Sequence, residues 1–116
     1  MATISSHVLD SVIGDHGKQI GIQCFHLVDE ATRELVFDVI ANDEGRIVEQ
    51  VEAGEGGGKY ELVFKTAVYF QNQPDLPEAR QIMDEVVVRF TIPNPDERIH
   101  IPLVLSPHSY TIWWSA

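Results

Sequence analysis

The chain has 116 residues, is 44% hydrophobic and carries a formal net charge of −10. That length fits one domain, 1–116, which buries about two-thirds of its unfolded surface and needs no metal or disulfide staple. The acidic surface repels phosphate backbones and anionic lipid, so neither nucleic acid nor membrane is an expected partner. Cys24, the one cysteine, has no internal partner and sits among Ile22, Phe25 and Leu27, the setting of a buried thiol. No apolar run is long enough to span a bilayer. The N-terminus lacks the charged start and apolar core of a signal peptide, and the C-terminus is not of the peroxisomal type. Cytoplasm is the default expectation.

In chain order the periodicity is that of strands. Thr3–Leu9 opens the chain. Ile20, Ile22, Cys24, His26 and Val28 alternate with Gly21, Gln23, Phe25 and Leu27, with apolar residues on both faces. Leu35–Ile40 is β-rich and ends at Asn42-Asp-Glu-Gly45, where a glycine that tolerates positive φ predicts a turn. Arg46–Val51 reads as a short edge strand, and Glu52–Gly58 as a glycine-rich loop. Lys59–Lys65 alternates cleanly, with Tyr60, Leu62 and Phe64 on one face.

At Thr66–Gln71 the alternation is lost, which predicts about two turns of helix. Asn72–Pro77 is a loop, and Pro77–Met83 a second helical candidate. Glu85–Ile92 is the most β-rich run, and Pro93–Asp96 a turn. Ile99–Leu105 and Ser109–Trp114 follow as strands, separated at Ser106-Pro107. About eight short strands at turn-punctuated spacing predict an all-β, antiparallel β-sandwich with one short helix.

Five histidines raise the question of a metal. No pair has a compact ligand spacing and there is no second cysteine, so no metal or other cofactor is expected; only convergence of His7, His26 and His100 in space would supply a site. Gly54 and Gly56–Gly58 lie between strands and do not form a phosphate loop, and no Gly-x-Ser-x-Gly elbow is present.

Several segments, taken together, resemble the 5-hydroxyisourate hydrolases, the transthyretin-related enzymes of urate breakdown. They are His7-Val-Leu-Asp10 followed by Gly14, Gly45-Arg46, Tyr60-Glu-Leu62, Tyr69-Phe70, Val87-Val-Arg-Phe90 and His100-x-Pro-Leu-x-x-Ser-Pro107. The likeness spans nearly the whole chain in order and implies a transthyretin-like sandwich. It also implies a catalytic cluster of His7, Arg46 and His100, a small heterocyclic substrate and a homotetramer with sites in a channel between dimers. The chemistry suits these residue types. Imidazole deprotonates water near neutral pH, and a planar guanidinium holds a developing oxyanion on a carbonyl-rich ring.

Two places depart from the resembled pattern. The family tail Tyr-Arg-Gly-Ser is Trp113-Trp114-Ser115-Ala116 here, and Gly-x-Pro-Ala is Gly14-Asp-His-Gly17. The tail exchanges a phenol, a cation and a hydroxyl for two indoles and a methyl, which predicts a pocket re-lined for a flatter or more apolar ligand. Trp113, Trp114 and His108 are therefore the expected substrate contacts, while His16 and His26 read as structural or surface residues. The expected activity is opening of a cyclic amide in a small heterocycle, with altered scope. The alternatives are a repurposed biosynthetic enzyme (hydrolysis, cyclisation or isomerisation) and a non-catalytic small-molecule carrier.

Overall fold

The structure is a computed structural model that describes residues 1–74 and 80–116. Among the described residues, ten strands and one helix occur in the order β1 (Ala2–Asp10), β2 (Asp15–His16), β3 (Gly21–Leu27), β4 (Arg33–Ile40), β5 (Arg46–Val51), β6 (Gly58–Phe64), α1 (Thr66–Gln71), β7 (Val86–Ile92), β8 (Arg98–His100), β9 (Leu103–Leu105) and β10 (Tyr110–Ile112). One sheet has the order β4-β3-β6-β7. The other is built round β1, which pairs with β2 and β5 on one side and with β8 and β9 on the other, β10 lying outside β9.

The sandwich and the helix at Thr66–Gln71 are as expected from the sequence. Two details differ. The expected strand Ile99–Leu105 is two strands, because Pro102 has no N–H to give to a ladder. The chain still follows β1 across this break, since Ile101 N–H donates to the Ser5 carbonyl at 2.8 Å. These two strands also run parallel to β1, in a sheet that is otherwise antiparallel. Of the helix expected at Pro77–Met83, residues 77–79 lie outside the described residues, and 80–83 carry no helix.

Alternation decides what each sheet buries. On β1, Ala2, Ile4, Ser6, Val8 and Asp10 point into the core, while Thr3, Ser5, His7 and Leu9 point outward and are only partly covered. Ile22, Leu62, Phe64, Ile92 and Leu103 complete the core from both sheets. Burying a side chain of Phe64's size stabilises the fold by about 1.5–3 kcal/mol. Cys24 is fully buried, and burial pushes its thiol up to about 12, so it is a core residue and not a nucleophile.

Asp10 is 2% exposed, yet every contact it makes is a donor's. Its Oδ2 accepts from the Tyr69 hydroxyl at 2.7 Å, and its Oδ1 from the backbone N–H groups of Val12 at 2.9 Å and Ile13 at 3.4 Å. The carboxylate thus ties α1 to the end of β1 and shapes the turn that brings the chain back as β2. Gly14, with φ +67, closes that turn through its N–H to the Asp10 carbonyl.

Candidate active site

The turn before β5 aims Arg46. Asn42 Oδ1 accepts from the N–H groups of Glu44 and Arg46, both at 2.9 Å, and Gly45 N–H donates to the Asn42 carbonyl. Gly45 has φ +71, and a Cβ there would lie 2.4 Å from the Val8 carbonyl oxygen. Only glycine satisfies both demands, the conformation and the close approach. The result is an in-register pair, His7 opposite Arg46. The Arg46 side chain is exposed and enters no ion pair among the described residues.

Across β1, His100 sits opposite Ser5 on β8. Its Nδ1 is 2.8 Å from Ser5 Oγ, which leaves Nε2 for other partners. Its main chain is held twice by the tail, His100 N–H donating to the Ser115 carbonyl at 2.9 Å and Ser115 N–H to the His100 carbonyl at 2.8 Å. Ser5 and His7 are two residues apart and share a face, so His100 and His7 are diagonal neighbours, roughly 7–8 Å apart by backbone spacing. The outer face of β1 therefore carries His7, Arg46 and His100 together.

The electrostatics favour neutral imidazoles. His7 is held below its ordinary value of 6.5, chiefly by burial, then by the Arg46 guanidinium and by His16, with a smaller push from His100; a backbone hydrogen bond with Glu44 works the other way. His100 is likewise lowered, by burial and then by Arg46. A neutral imidazole near a guanidinium is a base beside an anion-stabilising donor.

His16, read from sequence as structural or surface, has its Nδ1 3.1 Å from His7 Nε2. Ser5 was not singled out at all. The i, i+2 spacing of Ser5 and His7 was the available signal for it, since strand residues so spaced share a face. Ser115 in the tail meets His100 through its backbone, which side-chain chemistry does not signal.

Trp113 and Trp114 line a cavity of about 420 Å³ with Val88, Phe90, Ile99, Ile101 and Ile112, between β7 and the β8–β10 side of the sandwich. His7, Arg46 and His100 are not among its lining residues. His108 is exposed at the turn before β10, its Nε2 3.3 Å from the Arg80 carbonyl. Within the protomer, then, the structure gathers His7, Arg46 and His100 and leaves Trp113, Trp114 and His108 with other neighbours. His26 belongs to the second sheet and stacks on Tyr60 at 4.8 Å. Among the described residues no three His, Cys, Asp or Glu side chains are arranged to hold a metal ion.

A two-sheet sandwich of this topology, with imidazoles and a guanidinium on the outer face of its central strand, defines a transthyretin-type protein. The chain belongs to the HIUase/Transthyretin family, whose model matches residues 4–114. It is 36% identical over 116 residues to the 5-hydroxyisourate hydrolase of Pseudomonas aeruginosa, covering 97% of this chain and 90% of that protein. It is 34% identical over 113 residues to 5-hydroxyisourate hydrolase 2 of Rhizobium meliloti, covering 95% of this chain and 92% of that protein. Among solved structures, Klebsiella pneumoniae 5-hydroxyisourate hydrolase superposes over the full length of both chains with a TM-score of 0.80 at 20% identity, a likeness of fold. The (S)-allantoin synthase crystal structure gives the same TM-score at 29% identity, covering 99% of this chain and 44% of that one.

Proposed function

We propose that this chain, as one domain, opens the ring of 5-hydroxyisourate or a close heterocyclic analogue by hydrolysis. The observation that carries the reading is the placement of His7, Arg46 and His100 on one face of the β1 sheet, in a chain with near-full-length relatives named 5-hydroxyisourate hydrolase. His100, with Ser5 fixing Nδ1, takes a proton from water at Nε2. Arg46 stabilises the oxyanion that forms as the hydroxide adds to the ring carbonyl. His7 gives a ring proton to the leaving nitrogen as the C–N bond breaks and is reprotonated from solvent, to which His100 releases the proton it took from water.

Ser115 lies beside His100, and the two indoles that precede it, which line a separate cavity within the protomer, act on substrate scope only across a subunit contact. Losing two charged tail contacts costs on the order of 1.5–3 kcal/mol each, so turnover is expected at least about 100-fold slower than in a relative ending Tyr-Arg-Gly-Ser. Among the described residues β7 and β10 are edge strands with one side unpaired, which supports assembly into a homotetramer.

The test is ring opening of freshly generated 5-hydroxyisourate by the wild type, by His100→Ala and by the chain with Trp113–Ala116 replaced by Tyr-Arg-Gly-Ser. The alanine variant should lose about 100- to 10,000-fold, the range for a proton-transfer group, and the tail replacement should gain rate. Wild-type turnover equal to that of a Tyr-Arg-Gly-Ser relative would overturn the role given to the tail; His100→Ala turning over like the wild type would overturn the site.

A further inference from the structure

The His7–His16 contact has no place in the ring-opening scheme just given. Two half-buried imidazoles meet with Nε2 of His7 3.1 Å from Nδ1 of His16, ring centroids 5.3 Å apart and planes tilted by 39°. Such a contact needs one ring to donate and the other to accept, so the protonation states of the two are linked. The contact is built by the fold. The Asp10 turn returns the chain so that His16 pairs with Leu9, and alternation then puts the His16 ring on the outer face beside His7. At its far end His16 Nε2 lies 3.9 Å from Asp15 Oδ1, where a third of the side chain is open to solvent.

We propose that His16 is a positioning residue for His7, and that the two rings form a relay through which His7 exchanges protons with solvent. In the resting pair His16 donates Nδ1–H to the Nε2 lone pair of neutral His7. As His7 gives its Nδ1 proton, the one not facing His16, to the departing nitrogen, the Nδ1 proton of His16 moves to His7 Nε2, and His16 takes at Nε2, beside Asp15, the proton that His100 has released to solvent. One proton enters, one crosses and one leaves. The groups facing the pair are Arg46 from β5, His100 from β8, Asp15 from β2 and the Glu44 backbone from the preceding turn. This relay deepens the proposed ring-opening reaction and rests on it only for its kinetic consequence.

The experiment follows the ring resonances of His7 and His16 by NMR through a pH titration of the full chain, in wild type, His16→Ala and His16→Asn. Steady-state kcat and KM across the same pH range accompany it, with and without added imidazole. In the wild type the His7 ring should titrate below its ordinary value of 6.5. In both variants the His7 midpoint should move up, because a neighbour that lowers it is gone. His16→Ala should lower kcat by about tenfold or more with KM little changed, and added imidazole should restore part of the loss. Asparagine places an amide donor near the lost Nδ1–H, so His16→Asn should keep the His7 orientation and not the proton exchange. An unchanged His7 titration in both variants overturns the proposal, as does a kcat for His16→Ala within about twofold of wild type in an active enzyme. Inactivity of the wild type on 5-hydroxyisourate would count against the ring-opening reading alone, since the NMR titration needs no substrate and still decides the coupling.

Discussion

Ser5→Ala isolates the orientation of His100 from its presence. The Ser5 hydroxyl lies 2.8 Å from His100 Nδ1 and is the side-chain partner that fixes which way the ring points. A hydrogen bond of this kind has a net worth of about 0.5–1.5 kcal/mol. With each 1.36 kcal/mol equal to tenfold in rate, kcat/KM should fall roughly 2- to 13-fold. That sits well below the loss expected for His100→Ala, because the base remains and only its preferred rotamer and tautomer are freed. Ser5 faces outward and contributes nothing to the core, so stability should change by less than about 0.5 kcal/mol. Ser5→Thr keeps a hydroxyl on a strand position that suits a β-branched residue and should recover most of the rate. The assay is the initial rate with fresh 5-hydroxyisourate, beside a chemical denaturation curve for each variant. A Ser5→Ala enzyme as fast as wild type would refute the orientation argument, and one as slow as His100→Ala would show that Ser5 itself takes part in the chemistry.

Three further outcomes are expected. His7 and His100 both sit below 6.5, so the acid limb of kcat/KM should fall below that pH; a limb at or above it would contradict the combined effect of burial and Arg46. For stability the sign is the same. Between the lowered folded values and 6.5 the unfolded chain binds more protons, so the contribution of these groups is fully present above 6.5 and is lost as pH falls through the folded values, which denaturant midpoints at several pH values will show. Tyr69→Phe removes the donor to a buried carboxylate and should destabilise the fold by about 1.5–3 kcal/mol in urea denaturation; a change under about 0.5 kcal/mol would mean that water replaces the hydroxyl.

Much of the fold was legible because it depends on local pattern. Thr66–Gln71 stands out as the place where alternation stops, and Asn42–Gly45 as a turn whose glycine has no substitute. The division of Ile99–Leu105 was written in Pro102, a residue without a donor. What was not legible depends on registry between distant segments. The parallel run beside β1 arises because β8 and β9 insert against a strand almost a hundred residues earlier. The same holds at the site. Ser5 could be read from its spacing to His7, whereas His16 reaches His7 only through the Leu9–His16 pairing, which the buried Asp10–Tyr69 bond helps to set. The tail shows the limit most plainly. Its indoles drew notice as side chains, while its contact with His100 is made by the Ser115 backbone, which any residue but proline could supply.

β1 consists, in effect, of two messages interleaved letter by letter. One set, Ala2, Ile4, Ser6, Val8 and Asp10, answers to the core; the other, Thr3, Ser5, His7 and Leu9, answers to whatever lies against the outer face. Mutation can therefore edit the second set, together with outward neighbours Val48 on β5 and Arg98 on β8, while the first set stays constant. A combinatorial library confined to Thr3, Ser5, Val48 and Arg98 would explore new specificities at small folding cost. Within these nine residues the positions that hold the architecture and those that meet the outer face are separate, so one set can be varied without the other.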